Sequence, residues 1–176
     1  MKKALLIALV LFTAVVSTAC INNIAVQELN NKAADYMQKG DYEAAVNRLQ
    51  ASIDLDSSMF ETYYNLGIAA TSAKKYEVAI EAIQNGLRLK PDFENFYYAL
   101  SVAQAEYSEQ LLEISDEKKE VTEEDKVKSE SLKQSAIENA KKYLSLAPEA
   151  SDKEDIENLI KDLTEDKQEP QKVLEG

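Results

Sequence analysis

From residue 26 onward, apolar and small side chains recur three or four positions apart, the spacing that gathers them on one face of an α-helix. Ala33 with Tyr36, Ala45 with Leu49, Tyr63 with Leu66 and Gly67, and Ala79 with Ile83 and Leu87 all follow it. Punctuation falls between these runs. Gly40 is suited to the positive φ that closes a helix, and Asp41 can cap the next one. Ser58 with Glu61, and Ser151 with Glu154, have capping-box spacing, and Pro91 and Pro148 stop helices outright. The pattern predicts an all-α chain.

The runs also repeat. Tyr42-Glu43-Ala44-Ala45-Val46 returns 34 residues later as Tyr76-Glu77-Val78-Ala79-Ile80. The same displacement carries Ile53 and Leu55 onto Leu87 and Leu89, and Tyr63-Tyr64 and Leu66 onto Tyr97-Tyr98 and Leu100. Residues 26–59 and 60–93 are successive copies, and a third begins at 94. Small residues such as Ala33, Ala45, Gly67 and Ala79 mark places where two helices approach closely. A helix pair of this kind cannot bury its apolar face alone, so the pairs must stack. The period and the residues at Tyr63, Leu66, Gly67, Tyr76, Ala79, Ile83, Leu87 and Pro91 resemble those of tetratricopeptide repeats. That resemblance implies a short superhelix of about three helix pairs.

The third copy runs long. Leu144, Leu146 and Pro148 close it 23 residues behind schedule, an insertion at about residues 112–130 within a unit spanning 94–148. Leu100, Ala103, Tyr107, Leu111 and Ile114 carry one apolar stripe into the insertion, and Val127, Leu132, Ala136, Ile137, Ala140 and Leu144 carry another out of it. Two lengthened helices, joined around Ser115 to Val121 and started again near Thr122 and Asp125, are expected to protrude as a hairpin; a disordered acidic loop is the alternative. Ile156, Leu159, Ile160 and Leu163 predict a solvent-facing capping helix over residues 151–166, with partner or membrane docking as the other reading. Residues 167–176 read as a polar, disordered tail.

The first twenty residues have a different character. Lys2 and Lys3 precede Ala4 to Val16, thirteen residues with only Thr13 polar. Such a stretch reaches roughly 20 Å as helix, short of the bilayer's hydrocarbon core of about 30 Å. Residues 1–19 therefore read as an export signal. Ser17-Thr18-Ala19 before Cys20 resembles the lipobox of bacterial lipoproteins, with Ser17 where that family has Leu. The resemblance implies cleavage before Cys20, acylation of that cysteine, and a short tether over residues 20–25. An ordinary secreted chain with a stray cysteine is the alternative. In a two-membrane cell the lipoprotein resemblance further implies, through Ile21 where Asp is absent, the periplasmic side of the outer membrane.

Composition narrows the function. Without its first 19 residues the chain carries 18 basic and 32 acidic side chains, a net −14, which argues against nucleic acid. Most of the excess lies in residues 106–130 and 149–176. There is no histidine and one cysteine, so no Cys–His nucleophile, internal disulfide or Cys/His zinc site can form. Acid pairs such as Asp54/Asp56 and Glu123/Glu124 are expected by chance among 32 acids. No catalytic residue, metal site or cofactor is assigned, and the chain reads as a non-enzyme.

What remains is recognition. The tetratricopeptide resemblance implies a concave groove, lined by the first helices of successive repeats, that takes an extended peptide or a helix. The matching positions are Asn30, Asn31, Ala34 and Met37; Tyr64, Asn65, Ile68 and Thr71; and Tyr98, Val102 and Ala105. Asn31 and Asn65 offer amides to a peptide backbone, while Tyr64 and Tyr98 supply contact area. Packing of Tyr64, Ile68 and Val102 against the third pair or the capping helix is the competing assignment. The lysine and asparagine set with which chaperone-binding members clamp a carboxylate is missing. A lipid-anchored interaction scaffold in the bacterial envelope is expected, with secretion or pilus assembly as its specific version. An accessory or glycan-binding subunit of an envelope enzyme, or a structural spacer, are the alternatives.

Overall fold

The computed structural model describes residues 23–113 and 120–165, and every regular element among them is an α-helix. These are α1 (residues 23–38), α2 (Tyr42–Leu55), α3 (Phe60–Ser72), α4 (Tyr76–Leu89), α5 (Glu94–Leu112), α6 (Glu123–Leu146) and α7 (Lys153–Glu165). The export signal, Cys20, Ile21, residue 114, most of the expected joint after Ser115 and the tail 167–176 lie outside the described residues. Helix α1 is already formed at residue 23, ahead of the expected boundary at 26.

The turns set the pairing. Gly40 sits at φ 74° and ends α1, and the Asp41 carboxylate accepts the Ala44 N–H at 3.1 Å to start α2. Thirty-four residues on, Lys74 holds the same left-handed conformation at φ 59°, and the following N-cap, Lys75, has no side-chain cap. A side chain in this region costs about 1–2 kcal/mol, partly offset by the flexibility glycine adds to the unfolded chain. Lys74→Gly is therefore expected to raise stability by about 0.5–1 kcal/mol, read as a higher denaturant midpoint at unchanged slope. The expected Ser58/Glu61 capping box is not formed. Ser58 instead turns back on Asp56, donating both its N–H (2.9 Å) and its hydroxyl (2.6 Å), and α3 starts at Met59 without a side-chain cap. Asp56 is closer in sequence and closes its turn first.

The turns at Gly40 and Lys74 make α1/α2 and α3/α4 antiparallel pairs, α5 and α6 pack together as the third, and one core runs through the first five helices. Ala33, Ala45, Ala69, Ala79 and Ala103 are all at most 1% exposed, the small contacts through which the helices close. A Cβ on Gly67 would overlap the Ile83 side chain, and one on Gly86 would overlap the Phe96 ring. Phe96 is completely buried. Its ring lies 5.2 Å from Phe93, 5.7 Å from Tyr64 and 6.3 Å from Phe60, all edge to face. This aromatic cluster is the seam between the second and third pairs.

The third pair is lengthened as expected, with 19 residues in α5 and 24 in α6. Thr122 and Asp125 form a reciprocal capping box, each accepting the other's backbone N–H at 3.1 Å. Ser129 donates to the Ser108 carbonyl at 2.9 Å and Asn139 to Gln104 at 2.8 Å, which fixes the register of the two helices. The hairpin's base is clasped to the second pair rather than free. Tyr107 stacks on Tyr76 at 5.7 Å and donates to Glu77 at 2.6 Å, while Lys128 donates to Glu77 at 2.9 Å and to the Tyr107 oxygen at 2.7 Å. These bonds push Lys128 up to about 12, the Tyr107 contact contributing most, and lower Glu77. Beyond the clasp Leu112 and Val127 are exposed.

Helix α7 covers the far end. Ile156 and Leu163 are buried against α5 and α6 residues, with Leu159 and Ile160 half-buried beside them. The Tyr143 hydroxyl donates to Asp152 at 2.7 Å, tying the start of α7 to α6.

Candidate functional site: the face of the first-position helices

Helices α1, α3, α5 and α7 occupy the first position of successive pairs, and the expected groove residues lie on the first three. Asn31 is exposed; Met37, Tyr64, Asn65, Ile68, Tyr98 and Val102 are half-buried. Tyr64 is divided between surface and core, because its ring meets Phe93 at 5.4 Å and Phe96 at 5.7 Å. Tyr98 rests on Tyr143 at 5.5 Å, at the foot of α7. Tyr98 is close enough to act on Tyr64: burial raises the Tyr64 phenol, and Tyr98 raises it further. Met37 and Ile68 pack against the main core by one side. Ala34 is exposed, whereas Ala105 is buried beneath Leu163 of α7 and offers nothing to a ligand. The Thr71 hydroxyl is turned onto its own helix, donating to the Gly67 carbonyl at 2.9 Å. Asn30 donates to Thr62 at 3.2 Å, and its buried Oδ1 has no hydrogen-bond partner among the described residues.

Charge is distributed unevenly on this face. Neither α3 nor α5 contains a Lys or Arg. Asp152 and Asp155, in contrast, stand near enough to Tyr98 to raise its phenol beyond the effect of burial. Sequence reasoning favoured a cap for α7, with docking as the other reading, and did not single out these two residues. Their signal is the register: Pro148 corresponds to Pro91, which places Asp155 at the repeat position of Tyr64 and Tyr98.

Among the described residues no three His, Cys, Asp or Glu side chains gather as a metal site needs, and no helix is long and apolar enough to cross a membrane. A 410 Å³ cleft on another face, between α2, α3 and α4, is lined by Gln50, Ile53, Asp54, Tyr63, Glu81 and Asn85 among others.

Comparison with known proteins agrees with this architecture. A family model described as TPR repeat matches residues 34–70, and one described as tetratricopeptide repeat matches residues 60–93. Residues 34–93 thus match tetratricopeptide repeats, within an all-helical fold similar to that of TPR domains. A Mycosarcoma maydis protein, small glutamine-rich tetratricopeptide repeat-containing protein 2, is 28% identical over 79 residues, 45% of this chain and 22% of that relative. This chain therefore matches only about a fifth of that relative's length. The Arabidopsis OM64 TPR domain superposes with a TM-score of 0.63 at 15% identity, covering 82% of this chain and 98% of that one. The TPR2B domain of yeast Sti1, solved as a pHsp70 complex, gives 0.62 at 17% identity over 81% and 98%. The Yersinia enterocolitica type III secretion chaperone SycD, in complex with a peptide of the translocator YopD, gives 0.57 at 18% identity over 81% and 94%. Proteins of this fold are typically interaction domains rather than enzymes.

Proposed function

We propose that this chain is a lipid-anchored interaction scaffold of a bacterial cell envelope, whose face of first-position helices binds an extended peptide or a helix of an envelope partner. It is not an enzyme, and assembly of a secretion or pilus complex is the specific version of its role. The observation that carries the reading is the row of half-exposed Ile68, Tyr98 and Val102 flanked by Asn65, apolar contact area beside a backbone-binding amide. Proteins of the same fold have been solved with peptides: Sti1 as a pHsp70 complex and SycD with a YopD segment. The anchor rests on the signal-like residues 1–19 and on Cys20, the chain's one thiol. Each buried CH₂ of an acyl chain adds about 0.8 kcal/mol, so several chains hold a protein at the membrane durably.

Fractionation with fatty-acid labelling and crosslinking tests both halves together. Cys20→Ser is expected to lose its label and leave the membrane. Val102→Glu is expected to keep its label and helical content but lose at least tenfold of the crosslinked partner, since a buried charge at an interface goes unpaired. Wild-type protein that is soluble and unlabelled would end the anchor reading, and an undiminished crosslink in Val102→Glu would end the binding face.

A further inference from the structure

The row of equivalent repeat positions runs Asn30, Tyr64, Tyr98 and then Asp155, from amide through aromatic ring to carboxylate. Asp155 is exposed, and among the described residues no hydrogen bond or ion pair engages it. Beside it, Asp152 is held in place by the Tyr143 hydroxyl at 2.7 Å, and the Tyr143 ring supports Tyr98 at 5.5 Å. The two rings and the Asp152 carboxylate are therefore held relative to one another before any ligand arrives, with the exposed Asp155 three residues further along the chain. Half-exposed Tyr98 presents a π-surface, and a cation beside such a ring is attracted to it as well as to a neighbouring carboxylate. The two central helices of the face, α3 and α5, have no Lys or Arg to answer an acidic ligand. The nearest lysines of α7 are spent or displaced: Lys161 lies against Glu165 at 3.9 Å, and Lys153 stands two positions before Asp155 in the sequence.

We propose that the occupant of this face is a basic segment of a partner protein, an extended peptide whose apolar residues lie over Ile68 and Val102 and whose Lys or Arg side chain crosses Tyr98 to reach Asp155. The inference rests on the binding-face reading above and adds the chemistry and direction of the ligand. Attraction between this acidic end and a cationic peptide also predicts faster association at low salt, weakening as screening rises.

The full chain, purified in detergent, is to be offered a randomised library of short synthetic peptides. Selected peptides are expected to be enriched at least about fivefold in Lys or Arg at one position beside apolar residues, and to bind about tenfold more weakly to Asp155→Asn. Glu154→Gln removes a charge from the same first turn of α7 and should leave affinity within twofold, which separates a local contact from the general acidic field. Both variants should melt close to wild type, because both carboxylates are exposed. Selected peptides that are neutral or acidic, or that bind Asp155→Asn as well as wild type, overturn the inference while leaving the binding face standing. So does an equal loss in Glu154→Gln. If no peptide is selected, or if those selected bind Val102→Glu undiminished, the binding-face reading falls and the inference falls with it.

Discussion

Phe96→Ala is expected to cost about 3–5 kcal/mol, a large share of the stability of a domain this size. The ring is fully buried and is bounded by Phe60, Tyr64 and Phe93 on one side and by Gly86 on the other, so little can collapse into the vacated space. Gly86→Ala tests the same seam from its other wall. The added methyl overlaps the Phe96 ring, which its aromatic neighbours prevent from moving away, and overpacking of this sort costs about 1–3 kcal/mol. In the Phe96→Ala background the sign should reverse. The methyl then enters empty space, and Ala is about 1 kcal/mol better than Gly inside a helix. Denaturant midpoints for the two single variants and the double variant give the coupling directly. A Gly86→Ala protein as stable as wild type would show that the ring yields, and the close approach would lose its significance.

The second large effect concerns Tyr64→Ala with Tyr98→Ala. Were the rings pure groove residues, binding would vanish at constant stability; were they pure core, stability alone would fall. Both rings are half-buried, so each has packing contacts to lose whether or not it meets a ligand. Tyr64 gives up edge contacts to both Phe93 and Phe96, and Tyr98 gives up its contact to Tyr143. The double variant is expected to lose about 2–4 kcal/mol of stability, less than two fully buried aromatics would cost. It should also lose at least about 2 kcal/mol of binding, some thirtyfold in affinity, measured well below its melting transition. Circular dichroism melting and peptide titration on the same preparation read the two losses separately. Full affinity at reduced stability would assign both tyrosines to packing alone.

How far the fold could be read in advance follows from its periodicity. Rows such as Ala45/Ala79 and Tyr63/Tyr97 are locked to a period of 34, so the helices, their pairing and their buried faces follow from one alignment of the chain with itself. The lengthened third pair was legible for the same reason, because its two stripes persist at helical spacing. Contacts that break the repeat were not legible. Gly86 stands where the preceding copy has Ser52, and Phe96 where it has Thr62; each change looks idiosyncratic until the two are seen to fit each other in volume. The clasp of Lys128 and Tyr107 onto Glu77 joins residues 51 and 30 positions apart across the insertion, where no period applies. Asp155 was hidden by the same 23-residue displacement, which moves α7 out of register with the helices it continues.

The seam between the first and second pairs differs in kind from the aromatic one. Where Tyr64 and Phe96 meet in the later seam, the equivalent positions of the earlier one hold Asn30 and Thr62, joined at 3.2 Å, with the buried Asn30 oxygen lacking a hydrogen-bond partner among the described residues. In a stacked array each unit is stabilised mainly by its neighbours, so a weak seam divides the chain into units that open separately. Amide hydrogens of α1 and α2 should therefore exchange through partial opening, while those of α4 and α5 wait for global unfolding. The N-terminal end of the described residues is then the end that can loosen, leaving the aromatic seam and the acidic start of α7 folded.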